Sequence, residues 1–155
     1  MPPLDGQYRD AIETLAARLD EVPWALTGSA SFALQGVPVE PDDIDVQTTA
    51  AGAYAIEEAF ADRVLDPVSH SATERIASHF GAVELHGLRV EIMGAVQKRR
   101  PDGTWEPPVE IEPHRAFVDL DGRSVPVLSL EYEADAYERL GRHERAELLA
   151  AHADR

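Results

Sequence analysis

The sequence predicts an α/β or α+β protein in which a mixed β-sheet is flanked by helices. Segments with apolar residues at helical spacing alternate along the chain with short apolar segments of period two. No Pro/Gly/Ser-rich linker or internal repeat divides the 155 residues, which are enough to bury one core. We therefore expect a single domain over residues 1–155.

The first part of the chain reads as helix, strand, short helix and strand. Residues 5–20 place apolar side chains at helical spacing, and residues 22–27 are apolar like a buried strand. Residues 30–35 have a helical composition that ends at Gly36. After an acidic strand, residues 53–61 predict the next helix.

From Glu74 onward the chain predicts strands, followed by two helices. His86-Gly87 and Asp121-Gly122 have the composition of two-residue hairpin turns, and Ser129 is a favourable N-cap for the first of the two helices. The predicted strands are 75–80, 82–85, 88–93, 116–120 and 124–127, and the predicted helices are 130–140 and 142–153.

The most informative motif combines a Gly-Ser turn with two alternating carboxylates. Gly28 and Ser29 precede the short helix, whose first N–H groups and positive dipole end favour a phosphate. Further on, Asp43 and Asp45 would project from one face of a strand, roughly 6.5 Å apart. Two such carboxylates repel each other unless a cation or a proton intervenes. The motif therefore predicts Mg²⁺ beside a bound phosphate.

These residues resemble the nucleotidyltransferase superfamily with the DNA-polymerase-beta-like core. Its pattern is a hydrophobic strand, Gly-Ser, a gap, and two alternating acids between apolar residues, with a third acid on a later strand. Glu91, between Val90 and Ile92, is the candidate third acid. The chain is similar to small domains related to aminoglycoside and lincosamide nucleotidyltransferases, and to nucleotidyltransferase components of toxin–antitoxin systems. The resemblance is detailed over the core, about residues 22–94, and weaker over the C-terminal hairpin and helices, 114–153.

The resemblance implies transfer of a nucleoside monophosphate from a nucleoside triphosphate, such as ATP, to a hydroxyl acceptor, with release of pyrophosphate. Asp43, Asp45 and Glu91 would be the catalytic acids and would hold two Mg²⁺ or Mn²⁺ ions. Gly28 and Ser29 would bind the donor phosphates. The acceptor is open: a small antibiotic-like molecule, an RNA end or a protein side chain.

A second hypothesis comes from the third acid, which is usually Asp in the superfamily. With Glu at this place, the domain could be a weakly active or non-catalytic partner, such as the antitoxin half of a two-component system with a helical toxin, or a nucleotide-binding regulatory subunit. In that case Glu91 is simply an exposed strand residue, and the acids after Pro41 are a solvated turn.

The arginines near the C-terminus also allow two interpretations. They could neutralise a triphosphate, or pair with acids of their own helices. The arginines are Arg139, Arg142 and Arg145, and the acids are Glu138 and Glu144.

Charge and composition limit the partners. The chain has 29 acidic and 14 basic residues, a net charge of −15, and Lys98 is its single lysine. This is similar to proteins of salt-loving archaea, whose acidic surfaces are screened at a Debye length of about 3 Å in molar salt. General nucleic-acid binding is not expected, because the one basic cluster is Lys98-Arg99-Arg100.

Targeting signals and thiol chemistry are not indicated by the sequence. There is no apolar run near 18 residues, no signal-peptide pattern and no cysteine, and the six histidines lack zinc-site spacing. We therefore expect a cytoplasmic protein without membrane contact. Its partners would be a nucleoside triphosphate, an acceptor, and either a second copy in a homodimer or a helical partner protein.

Overall fold

The computed structural model describes residues 5–153, which form a seven-stranded mixed sheet and five α-helices. This confirms the predicted fold class. In chain order the elements are α1 (Gly6–Arg18), β1 (Trp24–Thr27), α2 (Gly28–Leu34), β2 (Ile44–Thr48), α3 (Ala50–Ala59), β3 (Val64–Ala72), β4 (Ile76–Leu85), β5 (Leu88–Lys98), β6 (Arg115–Leu120), β7 (Arg123–Leu128), α4 (Leu130–Arg139) and α5 (His143–Ala153).

The strand order across the sheet is β3-β4-β5-β2-β1-β7-β6. At the centre, β2 runs parallel to β5 and antiparallel to β1, and β1 runs parallel to β7. The outer pairs β3-β4 and β6-β7 are antiparallel. The acidic strand β2 therefore lies between β1 and β5. Residues of these three strands are neighbours where β2 begins.

The two faces of the sheet are covered differently. Helices α1 and α3 pack on one face through apolar side chains such as Ile12 and Ile56, which join Val46 and Ile92 of the central strands in the main core. Complete burial of each side chain of this size contributes about 1.5–3 kcal/mol. On the other side, Phe32 of α2 packs with residues of α4 and α5 in a second cluster. None of the helices in the described part of the chain is long and apolar enough to cross a membrane.

The structure differs from the predicted elements at several boundaries. The edge strand β3 was not predicted, because it contains Pro67 and buries only Val68. The two strands predicted over 75–85 are one strand, β4, and β5 continues five residues beyond its predicted end. Helix α3 begins earlier than predicted, where the side chain of Thr49 accepts a hydrogen bond from the N–H of Gly52.

Both predicted hairpin turns are confirmed. His86 and Gly87 have φ of 51° and 79°, and Asp121 and Gly122 have φ of 52° and 86°. Two consecutive left-handed residues are the geometry that matches the twist of a tight hairpin. Ser129 is also confirmed as a cap, since its hydroxyl accepts the N–H of Tyr132 at 3.2 Å.

Candidate active site

The sheet register brings one acid of the predicted pair directly beside the predicted third acid. Asp45 is opposite Thr27 of β1 on one side and Glu91 of β5 on the other. Because side chains alternate along strands, these three project to the face opposite the main core. Asp43, however, is not a strand residue as predicted: β2 begins at Ile44, and Asp43 lies in the bend before it, exposed to solvent.

The carboxyl of Asp45 is in an unfavourable place for a negative charge. Burial, followed by the charge of Glu91, a hydrogen bond with Glu91 and the charge of Asp43, raises the pKa of Asp45 to about 7. Asp45 and Glu91 are thus close neighbours, and the charge of Asp43 also acts on Asp45. Crowding of this kind is relieved by a shared proton or by a cation.

Gly28 packs directly against Asp45. Its φ is +75°, a conformation that favours glycine, and a Cβ on this residue would lie 3.2 Å from Cγ of Asp45 and closer still to Oδ2. Next to it, the hydroxyl of Ser29 accepts the backbone N–H of Asp42 at 2.8 Å. The Gly-Ser turn and the acidic segment are therefore held together as one unit.

A residue that the sequence interpretation missed, Glu133 of α4, lies behind this turn. It is 4% exposed, and its carboxyl accepts the hydroxyl of Thr27 at 2.7 Å and the backbone N–H of Gly28. Burial raises the pKa of Glu133 to about 7, against the lowering effect of these two hydrogen bonds and of Lys98. The binding of a phosphate by Gly28 stays a prediction.

Glu91 has a cationic partner. Nε of Arg89 lies 2.9 Å from Oε2 of Glu91, and the same guanidinium reaches Asp66 of β3 at 3.2 Å. Arg89 precedes Glu91 by two residues on β5, so the alternation of the strand places both on one face. That spacing was a sequence signal for the pair.

The three C-terminal arginines have different surroundings. Arg139 is bonded to Glu106, which lies outside the C-terminal helices. Arg142 lies over the ring of Tyr137, 5.1 Å from its centroid. Burial raises the pKa of the Tyr137 hydroxyl, and the negative charges of Glu133 and Asp45 raise it further. The positive charges of Arg142 and Arg145 lower it.

Arg142 and Arg145 also line an open cavity of about 560 Å³. Its wall includes Val39, from the segment before the acids, and Leu148 of α5. These two arginines can therefore meet an anion near the acidic segment.

The acids suit a hard divalent cation. Within residues 5–153, no group of three or more Asp, Glu or His side chains forms a complete metal site. Asp43, Asp45 and Glu91 nevertheless supply the oxygen donors that Mg²⁺ prefers, and the crowded pair Asp45 and Glu91 lacks a counterion other than Arg89 in the described contacts. The donor set fits Mg²⁺ or Mn²⁺.

Sequence comparison points to one family. A profile of the aminoglycoside-2''-adenylyltransferase family matches residues 11–151, which include every candidate site residue. No curated protein shows significant sequence similarity to the chain.

Comparison with solved structures agrees with the family match. A candidate nucleotidyltransferase from Thermotoga maritima is 49% identical, with a TM-score of 0.87 over 96% of this chain and 94% of that one. The lincosamide antibiotic adenylyltransferase LnuA, bound to lincomycin, is 13% identical, with a TM-score of 0.58 over 96% and 98% of the chains. ANT(2'')-Ia, in complex with adenylyl-2''-tobramycin, is 16% identical, with a TM-score of 0.52 over 91% and 94%. The last two show similarity of fold.

Proposed function

The chain belongs to the aminoglycoside-2''-adenylyltransferase family, and from that premise we propose that it transfers a nucleoside monophosphate, AMP in the first instance, from a nucleoside triphosphate to a hydroxyl of a small acceptor, with release of pyrophosphate. The observation that carries the proposal is the register that sets Asp45 beside Glu91, with Gly28 packed on Asp45. The relatives whose structures contain tobramycin or lincomycin suggest the acceptors to test first.

In this proposal the bond between the α-phosphorus and the bridging oxygen of the donor breaks, and a bond from the acceptor oxygen to the α-phosphorus forms. Glu91 takes the proton of the acceptor hydroxyl, because its carboxylate is half-buried on the same face as Asp45. Two Mg²⁺ ions held by Asp43, Asp45 and Glu91 would lower the pKa of that hydroxyl and neutralise charge on the leaving pyrophosphate.

The remaining side chains position the donor. The hydroxyl of Ser29 accepts the N–H of Asp42, so its proton stays available for a phosphate oxygen. Arg142 and Arg145 line the cavity beside the acidic segment and can neutralise the triphosphate. Glu133 holds the Gly-Ser turn through Thr27 and Gly28.

One pair of variants tests this assignment. The wild type, Asp45→Asn and Asp42→Asn are each incubated with ATP labelled at the α-phosphate, Mg²⁺, and tobramycin or lincomycin, and the product and pyrophosphate are followed. Asp45→Asn should lose Mg²⁺-dependent ATP binding and transfer, while Asp42→Asn, an exposed neighbouring acid, should keep both. Transfer that survives in Asp45→Asn would contradict the proposed site.

A second function rests on the contact between Arg89 and Glu91. If that ion pair persists in the presence of nucleotide, Glu91 is neutralised by the protein itself, and the domain acts as a nucleotide-binding or partner-binding protein without transfer. ATP binding without label transfer to any acceptor would support this function. Copurification with a helical partner would support the toxin–antitoxin form of it.

A further inference from the structure

Strand β6 is an open edge of the sheet without the features that protect the other edge. It is the last strand in the order, and in the described part of the chain it pairs with β7 alone, without a register shift. The opposite edge strand, β3, contains Pro67 and two register shifts against β4, and such features hinder pairing with another chain. No proline interrupts β6. It is therefore the edge at which a further strand can pair.

The turn of the β6-β7 hairpin determines which backbone groups point to this edge. In a two-residue hairpin the residues that flank the turn, here Leu120 and Arg123, form a hydrogen-bonded pair. Alternation then directs the even-numbered residues of β6 toward β7. His114 continues this pattern, since its carbonyl oxygen accepts the N–H of Ser129 at 2.9 Å. The outward-pointing N–H and C=O groups are those of Arg115, Phe117 and Asp119.

The side chains of these three residues match a second copy of themselves. Phe117 is 60% exposed, more than any other large apolar side chain in residues 5–153. The guanidinium of Arg115 lies over its ring, 5.6 Å from the centroid. Within the described residues, neither Arg115 nor Asp119 has an ion-pair partner. Although the chain has a net charge of −15, this edge carries one positive and one negative group, so it does not repel its own copy.

We propose that two copies of this chain pair through β6, antiparallel and centred on Phe117. In this register Phe117 lies opposite its counterpart, and Arg115 of each copy lies opposite Asp119 of the other. All three are outward-pointing positions, so the register forms about six backbone hydrogen bonds between Cα atoms about 5.5 Å apart. A shift of two residues keeps such bonds but separates the charges. The twofold contact joins the two sheets into one.

The surroundings of Phe117 leave room for the second copy. Its side chain borders an open cavity of about 490 Å³, which is also lined by Gln35 at the end of α2 and by Ala153 at the end of α5. A second aromatic ring beside Phe117 can therefore cover apolar surface that is exposed in a single copy.

The test exchanges the two charges by sedimentation equilibrium of the full chain. It uses Arg115→Asp, Asp119→Arg, an equimolar mixture of both, and the control Asp62→Arg, an exposed acid near β3 whose replacement changes the net charge as Asp119→Arg does. At about 0.15 M KCl the Debye length is about 8 Å, which screens long-range repulsion between the acidic chains more than contacts within about 5.5 Å. Melting temperatures check that each variant is folded.

We expect the wild type to dimerise with a Kd of tens of micromolar, as small interfaces do. Each single variant places like charges opposite each other and should raise the Kd at least about tenfold. In the mixture every acid at positions 115 and 119 of one variant faces an arginine of the other, so the wild-type Kd should return. Asp62→Arg should dimerise no more weakly than the wild type.

Three results would overturn the proposal. One is a wild type that stays monomeric at about 100 µM, a concentration above the expected Kd. Another is a dimer that both single variants retain at full strength, because its interface would then lie elsewhere. The third is a mixture that remains monomeric although each single variant is folded, because the register centred on Phe117 would then be wrong.

Discussion

Replacement of Gly28 by Ala tests the close packing at the centre of the site. The residue has φ of +75°, and an added Cβ would lie 3.2 Å from Cγ and 3.4 Å from Cβ of Asp45, with the carboxylate oxygen closer than either. Real Cβ atoms do not tolerate such an approach, so the Asp45 carboxylate or the turn has to move. The substitution should therefore disturb the fold and the binding site together.

The expected loss has two parts. A non-glycine residue in the left-handed region costs about 1–2 kcal/mol. Overpacking against Asp45 adds roughly 1–3 kcal/mol. Gly122→Ala carries only the first part, because Gly122 has φ of +86° with nothing within 4 Å of an added Cβ. We expect the free energy of unfolding to fall by about 2–5 kcal/mol in Gly28→Ala and by about 1–2 kcal/mol in the control.

Urea unfolding measures the stabilities, and calorimetry with ATP and Mg²⁺ measures binding. Gly28→Ala should weaken Mg²⁺-dependent ATP binding at least about tenfold, since displacement of Asp45 alters a proposed metal ligand, whereas Gly122→Ala should bind as the wild type does. If Gly28→Ala loses no more stability than Gly122→Ala and binds ATP normally, the contact between Gly28 and Asp45 does not constrain the site.

Three further changes test the charges of the protein. Glu133→Gln removes a carboxyl whose pKa is raised by burial from its ordinary 4.5 to about 7. Because the folded state holds this proton more tightly, Glu133 should account for a loss of about 3 kcal/mol of unfolding free energy as the pH rises from 4.5 to above 7. Asp45, whose pKa is also raised to about 7, acts in both proteins, so the variant should lose about 3 kcal/mol less than the wild type, as urea unfolding at pH 5 and pH 8 in a chelator would show. Glu91→Gln should leave ATP binding nearly intact but reduce transfer by roughly 10² or more, and equal transfer rates would show that Glu91 is neither base nor metal ligand. The melting temperature should rise steeply from low salt to molar KCl because screening relieves the repulsion of a net charge of −15, and a flat melting curve would rule out a halophilic adaptation.

The parts of the fold that could be predicted from sequence are those with strong local signals. The strand before Gly28 and the short helix ended by Gly36 each follow from periodicity or from glycine conformation. The acidic strand was expected to include Asp43, but it begins at Ile44. The edge strand β3 has neither signal, because its pattern is nearly all exposed and it forms only by pairing with β4.

The sequence named candidate acids but not the residue that supports the turn beside them. Glu133 was not singled out, although it occupies the apolar stripe of α4 with Leu130, Ala134 and Tyr137, at helical spacing. A carboxylate on such a stripe is buried, and buried carboxylates need partners. Which partners it finds, Thr27 and Gly28, depends on how α4 packs over the sheet, and a sequence pattern does not specify this contact.

The hydrogen bonds from Thr27 and Gly28 to Glu133 bear on how members of this family diversify. A recombination event that exchanged α4 and α5 for the last helices of a relative would remove the acceptor of two donors at the Gly-Ser turn, unless the incoming helix carried an acid or amide at the same place. We expect viable chimaeras at the start of α4 to keep this one position polar, and to vary freely on the outer face of α5. The sequence of α4 at this position therefore depends on the turn that it packs against.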